Sequence, residues 1–222
     1  MSDIRVIAFD VDGTLLHHGE GLVVWEVLNR RFIGDSTINR ERYAWFRSGQ
    51  ITYAEWVDLD IGGWRDAGAT RDQIVEAMAE LTLALGTQET LGELRRRGYG
   101  VVAVSGTLDI TLDHCFPDHP FEEVFTNRIQ FSDDGSIESW EATPFDGEGK
   151  VRALEKVADE RGIALENIAF VGDAANDVPA ARAVGFSVAF NSRCVELIDA
   201  ADARIPGPDL RAILPHFPLR TV

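Results

Sequence analysis

Lysine, cysteine and long apolar runs are all scarce in this sequence. Only Lys150 and Lys156 are lysines, so arginine supplies nearly all of the positive charge. The formal net charge is −16 at pH 7, which argues against nucleic acid and anionic membranes as partners because both attract basic surfaces. An anionic substrate would therefore need local positive charge at its binding site. A saline habitat or a GC-rich genome would each explain this composition.

The two cysteines, Cys115 and Cys194, are far apart and form neither a CxxC pair nor a disulfide framework. We expect both to be buried small hydrophobes in a protein of the reducing cytoplasm. No apolar run approaches the roughly 20 residues that cross a bilayer. The first predicted strand begins almost at the N-terminus, so we also expect no signal peptide. The apolar share of 45% is that of a globular protein with one core, or a core plus a small insert.

Short apolar runs alternate with helical periodicity along most of the chain. Four of these runs predict buried strands, at residues 6–9, 101–104, 168–171 and 186–190. The alternation indicates a parallel sheet with right-handed crossovers, and residues 129–140 predict a β-hairpin around Asp-Asp-Gly-Ser. Residues 22–85 are predicted to be helical throughout. We therefore expect a Rossmann-like, doubly wound α/β core of residues 1–16 and 86–222, with an inserted all-helical domain of residues 17–85.

Polar residues stand where three of the predicted strands end. Asp10 and Asp12 follow the first strand, Ser105 follows the second, and Asp173 follows the third. In an open α/β sheet these ends share one edge, and ligands bind in the crevice beyond it. Each feature also has a simpler explanation, such as an Asp-rich turn, a helix cap or, for Lys150, a solvated helix lysine. Their joint occurrence in this order favours a functional site.

These residues resemble the four motifs of the haloacid dehalogenase (HAD) superfamily of phosphotransferases. The motifs are Asp-Val-Asp-Gly-Thr at 10–14, Ser-Gly at 105–106, Lys150, and Gly-Asp-Ala-Ala-Asn-Asp at 172–177. With Val104 before the second motif and Phe-Thr-Asn-Arg at 125–128, the chain is similar more narrowly to the phosphoserine phosphatase branch. The resemblance covers residues 3–16 and 86–214, and it makes the helical insertion a cap domain.

The resemblance implies a division of roles among these residues. Asp10 would attack phosphorus and Asp12 would serve as general acid and base. Mg²⁺ would be held by Asp10, the backbone carbonyl of Asp12 and Asp173, with Asp177 behind them. The residues expected to bind the phosphoryl group or substrate are Thr14, Ser105, Gly106, Lys150 and Asn176.

The cap matches the branch less closely. Phosphoserine phosphatases carry a Glu and an Arg there that read the amino and carboxylate groups of the substrate. Glu20 lies about one position from the expected Glu, but residues 52–60 hold three acids and no Arg, which leaves Arg47 or Arg65 as substitutes. The aromatic residues of the cap either form its own core, the commoner case, or line a pocket for a base, a sugar or a cationic head group.

We therefore predict a Mg²⁺-dependent phosphomonoesterase that acts on a small phosphorylated metabolite, with phosphoserine as one candidate. A phosphotransferase that passes the phosphoryl group to another alcohol would show the same motifs. A non-catalytic ligand-binding protein is a third alternative, and the intact Asp10, Asp12, Lys150 and Asp173 argue against it. Metal-free dehalogenation would not need Asp12. No sequence feature indicates an oligomeric state.

Overall fold

A computed structural model describes residues 3–220 and shows strands and helices in alternation. The strands within this range are β1 (Val6–Phe9), β2 (Leu16–His18), β3 (Leu81–Leu83), β4 (Gly100–Leu108), β5 (Glu123–Phe131), β6 (Ile137–Glu141), β7 (Ile168–Gly172), β8 (Phe186–Phe190) and β9 (Ala203–Ile205). The α-helices are α1 (Val24–Phe32), α2 (Ile38–Arg47), α3 (Tyr53–Asp66), α4 (Arg71–Ala77), α5 (Thr87–Arg96), α6 (Asp109–Cys115), α7 (Glu148–Arg161), α8 (Val178–Ala183) and α9 (Val195–Ala200). Short 3₁₀ helices cover Leu165–Asn167, Ala175–Asp177 and Leu210–His216. None of the helices in the described range is long and apolar enough to cross a membrane.

Seven strands form one sheet in the order β6-β5-β4-β1-β7-β8-β9. The first strand of the chain is central, and it pairs in parallel with both β4 and β7. Its side chains alternate between two layers, because Val6 and Ala8 pack towards α7 while Ile7 and Phe9 pack towards α5. Burial on both faces explains why β1 is a continuous apolar run. The predicted doubly wound α/β fold is confirmed.

Several predicted boundaries are confirmed at residue level. The strands at 6–9 and 186–190 are β1 and β8, and the predicted hairpin is formed by antiparallel β5 and β6. The second predicted strand is longer than expected, because β4 continues past Ser105 to Leu108. Its pairing with β5 shifts register between Val104 and Leu108. The Ser-Gly motif therefore lies in an irregular part of a strand rather than in a helix cap.

Four helices, α1 to α4, occupy the segment predicted to be helical, but this segment also contains a strand. The prediction that helix continues to residue 85 is wrong, because α4 ends at Ala77 and Leu81–Leu83 forms β3. That strand pairs antiparallel with β2. The chain segments that lead into and out of the helices therefore form a two-stranded sheet. Tertiary pairing thus overrides the local spacing of apolar residues. The division into a core of 1–16 and 86–222 and a cap of 17–85 stays a prediction.

A buried polar network joins three of the inserted helices. The Asp60 carboxylate of α3 is fully buried and accepts hydrogen bonds from Asn29 Nδ2 at 2.8 Å and from the Arg42 guanidinium. Asn29 Oδ1 in turn accepts a hydrogen bond from Trp64 Nε1 at 2.7 Å. Because the carboxylate lies away from water, the stability of this segment depends on its donors.

Replacing Arg42 with Met is expected to destabilise the protein by about 3–5 kcal/mol, since it leaves a buried carboxylate without its cation. Urea unfolding measures this loss. Arg95→Met removes an exposed arginine of α5 and is the matched control, with an expected change within about 0.5 kcal/mol. Equal losses in the two variants would contradict the importance of the buried pair.

Candidate active site

The sequence motifs meet at the carboxyl edge of the sheet. Asp10 and Asp12 follow β1, Ser105 and Gly106 lie near the end of β4, and Asp173 follows β7. These five residues line one cavity of about 370 Å³, which the helices α1 to α3 close from above. The structure therefore brings together the residues that the sequence places far apart.

Lys150 joins two of the carboxylates beneath this cavity. Its side chain is fully buried, and Nζ donates to Asp10 Oδ1 at 2.6 Å and to Asp177 Oδ1 at 2.5 Å. Burial alone would lower the pKa of this lysine, but the two carboxylates outweigh that effect and raise it. Lys150 is therefore a fixed positive charge beside Asp10 and not a solvated helix lysine.

Burial and mutual repulsion raise the pKa values of the carboxyl groups in this site. Burial raises the pKa of Asp10 well above its ordinary value, and Lys150 offsets only part of this rise. Burial and the charge of Asp177 raise the pKa of Asp173 to about 7. More negative charge is thus buried here than the lysine neutralises, which is the condition for a cation site.

The donor set fits a hard divalent cation. Single ligand atoms of Asp10, Asp173 and Asp177 all lie within 4.8 Å of one another, and carboxylate oxygens are the ligands that Mg²⁺ prefers. Asp177 is otherwise engaged, because its Oδ1 contacts Lys150 and its Oδ2 accepts the backbone N–H groups of Asp173 and Ala174 at 2.9 and 3.0 Å. Both carboxylate oxygens of Asp177 are thus already hydrogen-bonded, which makes Asp10 and Asp173 the better placed ligands for an ion.

Two glycines of the motifs leave space for these carboxylates. A Cβ on Gly13, whose φ is +88°, would lie 2.4 Å from Asp173 Oδ2. A Cβ on Gly172 would lie 2.4 Å from Asp177 Oδ2.

Thr14, expected to bind phosphate, is fully buried and donates to Asp173 Oδ1 at 3.0 Å. In this structure it therefore orients a carboxylate.

Asp12 lines the same cavity as Asp10. Burial raises the pKa of its carboxyl to about 6, while the positive charge of Lys150 acts in the other direction. A carboxyl group with a pKa near neutrality exchanges its proton readily at the pH of most cells. Asp12 therefore carries a carboxyl group that can gain and lose a proton near neutral pH.

Gly106 and its neighbours tie the sheet to the helical insertion. The Gly106 carbonyl accepts hydrogen bonds from Trp25 Nε1 at 3.0 Å and from Asn127 Nδ2 at 2.7 Å. Asn127, fully buried, also donates to the Tyr53 hydroxyl at 2.8 Å. Asn176 lines the cavity and donates to Asp146 Oδ1 at 2.8 Å. This wall of the cavity is thus built partly by contacts between the inserted helices and the sheet.

The cap residues predicted to select the substrate do not line this cavity. Glu20 is exposed, pairs with Arg30 Nη1 at 2.7 Å, and does not line the cavity. Neither Arg47 nor Arg65 lines it either, whereas Arg40 of α2 does. Sequence reasoning missed Arg40 because its position fits no motif of the branch.

Asp146 is a second residue that sequence reasoning missed. It lies in the loop before α7 and lines the cavity. The surrounding sequence, Phe-Asp-Gly-Glu-Gly at 145–149, is typical of a turn before a helix. Its position four residues before Lys150 was the only available signal.

Comparison with known proteins agrees with this geometry. A family model described as haloacid dehalogenase-like hydrolase matches residues 4–185. The chain is 33% identical to a phosphoserine phosphatase of Methanocaldococcus jannaschii, over 96% of this chain and 97% of that protein. It is 30% identical to the phosphoserine phosphatase SerB2 of Mycobacterium tuberculosis, over 95% of this chain but only 49% of that protein.

Solved structures show the same fold. A phosphoserine phosphatase determined as a phospho-aspartyl intermediate analogue matches with a TM-score of 0.74 at 27% identity, covering 97% of this chain and 99% of that one. A HAD family hydrolase from Salmonella enterica serovar Typhi shares the fold with a TM-score of 0.78 at 21% identity, covering 97% of this chain and 71% of that one. The chain belongs to the haloacid dehalogenase-like hydrolases, as a phosphoric monoester hydrolase similar to the phosphoserine phosphatases.

Proposed function

We propose that this protein is a Mg²⁺-dependent phosphatase that hydrolyses a small phosphorylated metabolite by way of a phosphoryl group on Asp10. The observation that supports it most strongly is the position of Asp10. Its carboxylate ends the central strand, is held by Lys150 at 2.6 Å, and lies in one cavity with Asp12 and Asp173. A nucleophile, a proton carrier and a cation site therefore converge on the space where a phosphate group would sit.

In the first proposed step, an oxygen of Asp10 forms a bond to phosphorus and the bond to the substrate oxygen breaks. Asp12 gives its proton to that leaving oxygen, so the alcohol departs neutral. In the second step, Asp12 takes a proton from water, whose oxygen attacks the phosphorus of the aspartyl-phosphate. The bond between Asp10 and phosphorus breaks, which releases inorganic phosphate and restores both carboxyl groups.

We propose Asp10, the backbone carbonyl of Asp12, and Asp173 as the residues that hold Mg²⁺. The ion, when bound, would supply positive charge against the phosphoryl oxygens and the carboxylates around them. Asp177 and Thr14 would keep Asp173 and the loop after β7 in place through the contacts already described. The surplus of buried negative charge supports this assignment, since it makes a divalent cation favourable at that point.

Ser105, Gly106 and Asn176 are proposed to bind the phosphoryl group or the rest of the substrate, because all three line the cavity. Lys150 would act from beneath, through its contact with Asp10, as preorganised positive charge. Glu20 as a substrate-selecting residue and the cytoplasm as location stay predictions. The relatives named as phosphoserine phosphatases support a small phosphorylated metabolite as substrate.

Asp12→Asn tests the proton transfer through the choice of leaving group. For an alkyl phosphate, whose alkoxide leaves poorly, we expect kcat/KM to fall by about 10²–10⁴-fold. For p-nitrophenyl phosphate, whose leaving group is stable without a proton, the fall should be at least tenfold smaller. Steady-state kinetics with both substrates measures the difference. Equal losses for the two leaving groups would remove Asp12 from the role of general acid.

A further inference from the structure

The roof of the active-site cavity is aromatic. Trp25, Tyr43, Tyr53 and Trp56 all line it, and they are called the aromatic wall below. Their ring centroids lie 5.7 Å apart for Tyr43 and Trp56, 6.0 Å for Tyr53 and Trp56, and 6.5 Å for Trp25 and Trp56. Aromatic faces attract cations electrostatically, and several rings around one space strengthen the effect. The wall therefore suits a positively charged substrate group, such as an ammonium group.

Asp146 places a carboxylate in the same cavity. Its Oδ1 accepts hydrogen bonds from Asn176 Nδ2 at 2.8 Å and from the backbone N–H of Gly147 at 2.9 Å. Among the residues that the structure describes, none donates a hydrogen bond to Oδ2. Its negative charge raises the pKa values of Tyr43 and Tyr53, although burial contributes more to both. Asp146 and the aromatic wall thus line the same cavity.

Asn39 adds an acceptor to the wall. This residue of α2 is only 9% exposed and lines the cavity, and its Oδ1 has no hydrogen-bond partner among the described residues. A buried acceptor without a donor costs folding free energy, so its retention favours a ligand that donates. Aromatic faces and a carboxylate both select a cation, and the unpartnered carbonyl oxygen adds a hydrogen bond when that cation carries N–H groups, as a primary ammonium does.

Arg40, which lines the cavity, forms a salt bridge with Glu26. Arg40 Nε lies 2.9 Å from Glu26 Oε1, and the Arg40 side chain is 73% exposed while that of Glu26 is 7% exposed. Turning the guanidinium towards a substrate carboxylate would leave Glu26 buried without its cation, which is costly. Among the residues that the structure describes, the one arginine that lines the cavity is therefore already paired with a buried carboxylate through Nε.

The charge balance of the site points the same way. Carboxylates at or beneath the cavity outnumber its cations. They are Asp10, Asp12, Asp146, Asp173 and Asp177. Lys150 is one positive charge against these five carboxylates, so negative charge remains before any phosphate enters. An ammonium group on the substrate offsets that charge, whereas a second substrate anion adds to it.

We propose that the enzyme acts on phosphate monoesters of amino alcohols without a carboxylate group, whose ammonium group binds between the aromatic wall and Asp146. This inference rests on the proposed phosphatase function and deepens it. A cavity of about 370 Å³ accommodates a phosphate and a small ammonium head group together. Phosphoethanolamine and phosphocholine represent this class of substrate.

The test compares phosphocholine with its neutral isostere, 3,3-dimethylbutyl phosphate, in the presence of Mg²⁺. We expect kcat/KM to be at least about tenfold higher for the cation, the size of effect that a desolvated cation–aromatic contact with a carboxylate supports. Asp146→Asn should reduce this ratio at least about fivefold. Asp133→Asn removes the same charge from the exposed hairpin turn and should leave the ratio unchanged. A ratio is used because it cancels general losses of activity in a variant.

Two further substrates separate the ways in which the inference can fail. If p-nitrophenyl phosphate and every other ester remain intact with Mg²⁺, the proposed phosphatase function is wrong. If p-nitrophenyl phosphate is hydrolysed but phosphoserine exceeds phosphoethanolamine, or the cation and its isostere react alike, the function stands and the substrate inference is overturned. A ratio that Asp146→Asn does not change also overturns it, provided that thermal melting shows the variant to be folded.

Discussion

Asp10→Asn is expected to lower kcat by at least about 10⁴-fold, the largest change in activity predicted for this protein. A carboxamide oxygen is a poor nucleophile, so the covalent route closes, and the loss of a nucleophile removes most of the catalysis that depends on it. Phosphate release from p-nitrophenyl phosphate with saturating Mg²⁺ measures the effect. Chelation of the metal with EDTA provides the background rate against which the residual activity is read.

The same substitution should leave the fold intact. Asn has the shape of Asp, and its carbonyl oxygen still accepts the hydrogen bond from Lys150. The raised pKa of Asp10 means that its ionised form costs folding free energy at neutral pH, where the unfolded chain would ionise it freely. Thermal melting in EDTA should therefore show a Tm equal to or above that of the wild type. Asp118→Asn, at an exposed loop position, is the control, and full activity in Asp10→Asn would contradict the mechanism.

Lys150→Met is expected to lower both stability and activity. The substitution leaves Asp10 and Asp177 buried side by side without their shared cation, and breaking a buried ion pair costs about 3–5 kcal/mol. Removing fixed charge from the nucleophile should lower kcat by about 10²–10³-fold, the scale found for one preorganised electrostatic group. Urea unfolding in EDTA and steady-state kinetics with Mg²⁺ measure the two effects.

The chain supplies a matched control for this variant. Lys156, the other lysine, lies on the same helix, is 58% exposed and stands 3.8 Å from Glu160. Lys156→Met removes the same charge from α7 at the surface, where an ion pair contributes little. Its stability and kcat should stay close to wild type. If both lysine variants lose the same stability, the buried contacts of Lys150 do not carry the effect.

The core and the cluster of carboxylates at the cavity could be predicted from sequence because each rests on a local pattern. An apolar run such as Val6–Phe9 predicts a buried strand wherever it lies, and carboxylates at its end then fall on the ligand-binding edge of the sheet. The burial of Lys150 could not be predicted in the same way. A helical lysine is ordinarily solvated, and only the parallel packing of β1 and β7 brings two carboxylates to it.

The substrate end of the site depends on contacts that no local pattern records. Asp146 has the sequence context of a turn, and Arg40 lies on an ordinary polar helix face. Arg40 reaches the cavity because the helices inserted after β1 fold back over the end of β4, whereas Asp146 reaches it from the loop before α7. The strand β3 was missed for a related reason, since its partner β2 lies more than sixty residues earlier. The residues proposed to act on the phosphoryl group could therefore be predicted from sequence more fully than the residues that surround the rest of the substrate.

The direct test of the account is to identify the residue that carries the phosphoryl group. Asp12→Asn mixed with p-nitrophenyl phosphate should release one equivalent of p-nitrophenol rapidly, because this leaving group needs no proton while the following attack by water needs a base. Acid quenching and peptide mass spectrometry should then find the phosphoryl group on Asp10. A phosphoryl group on any other residue, or release of p-nitrophenol during turnover with no phosphorylated protein, would contradict the mechanism.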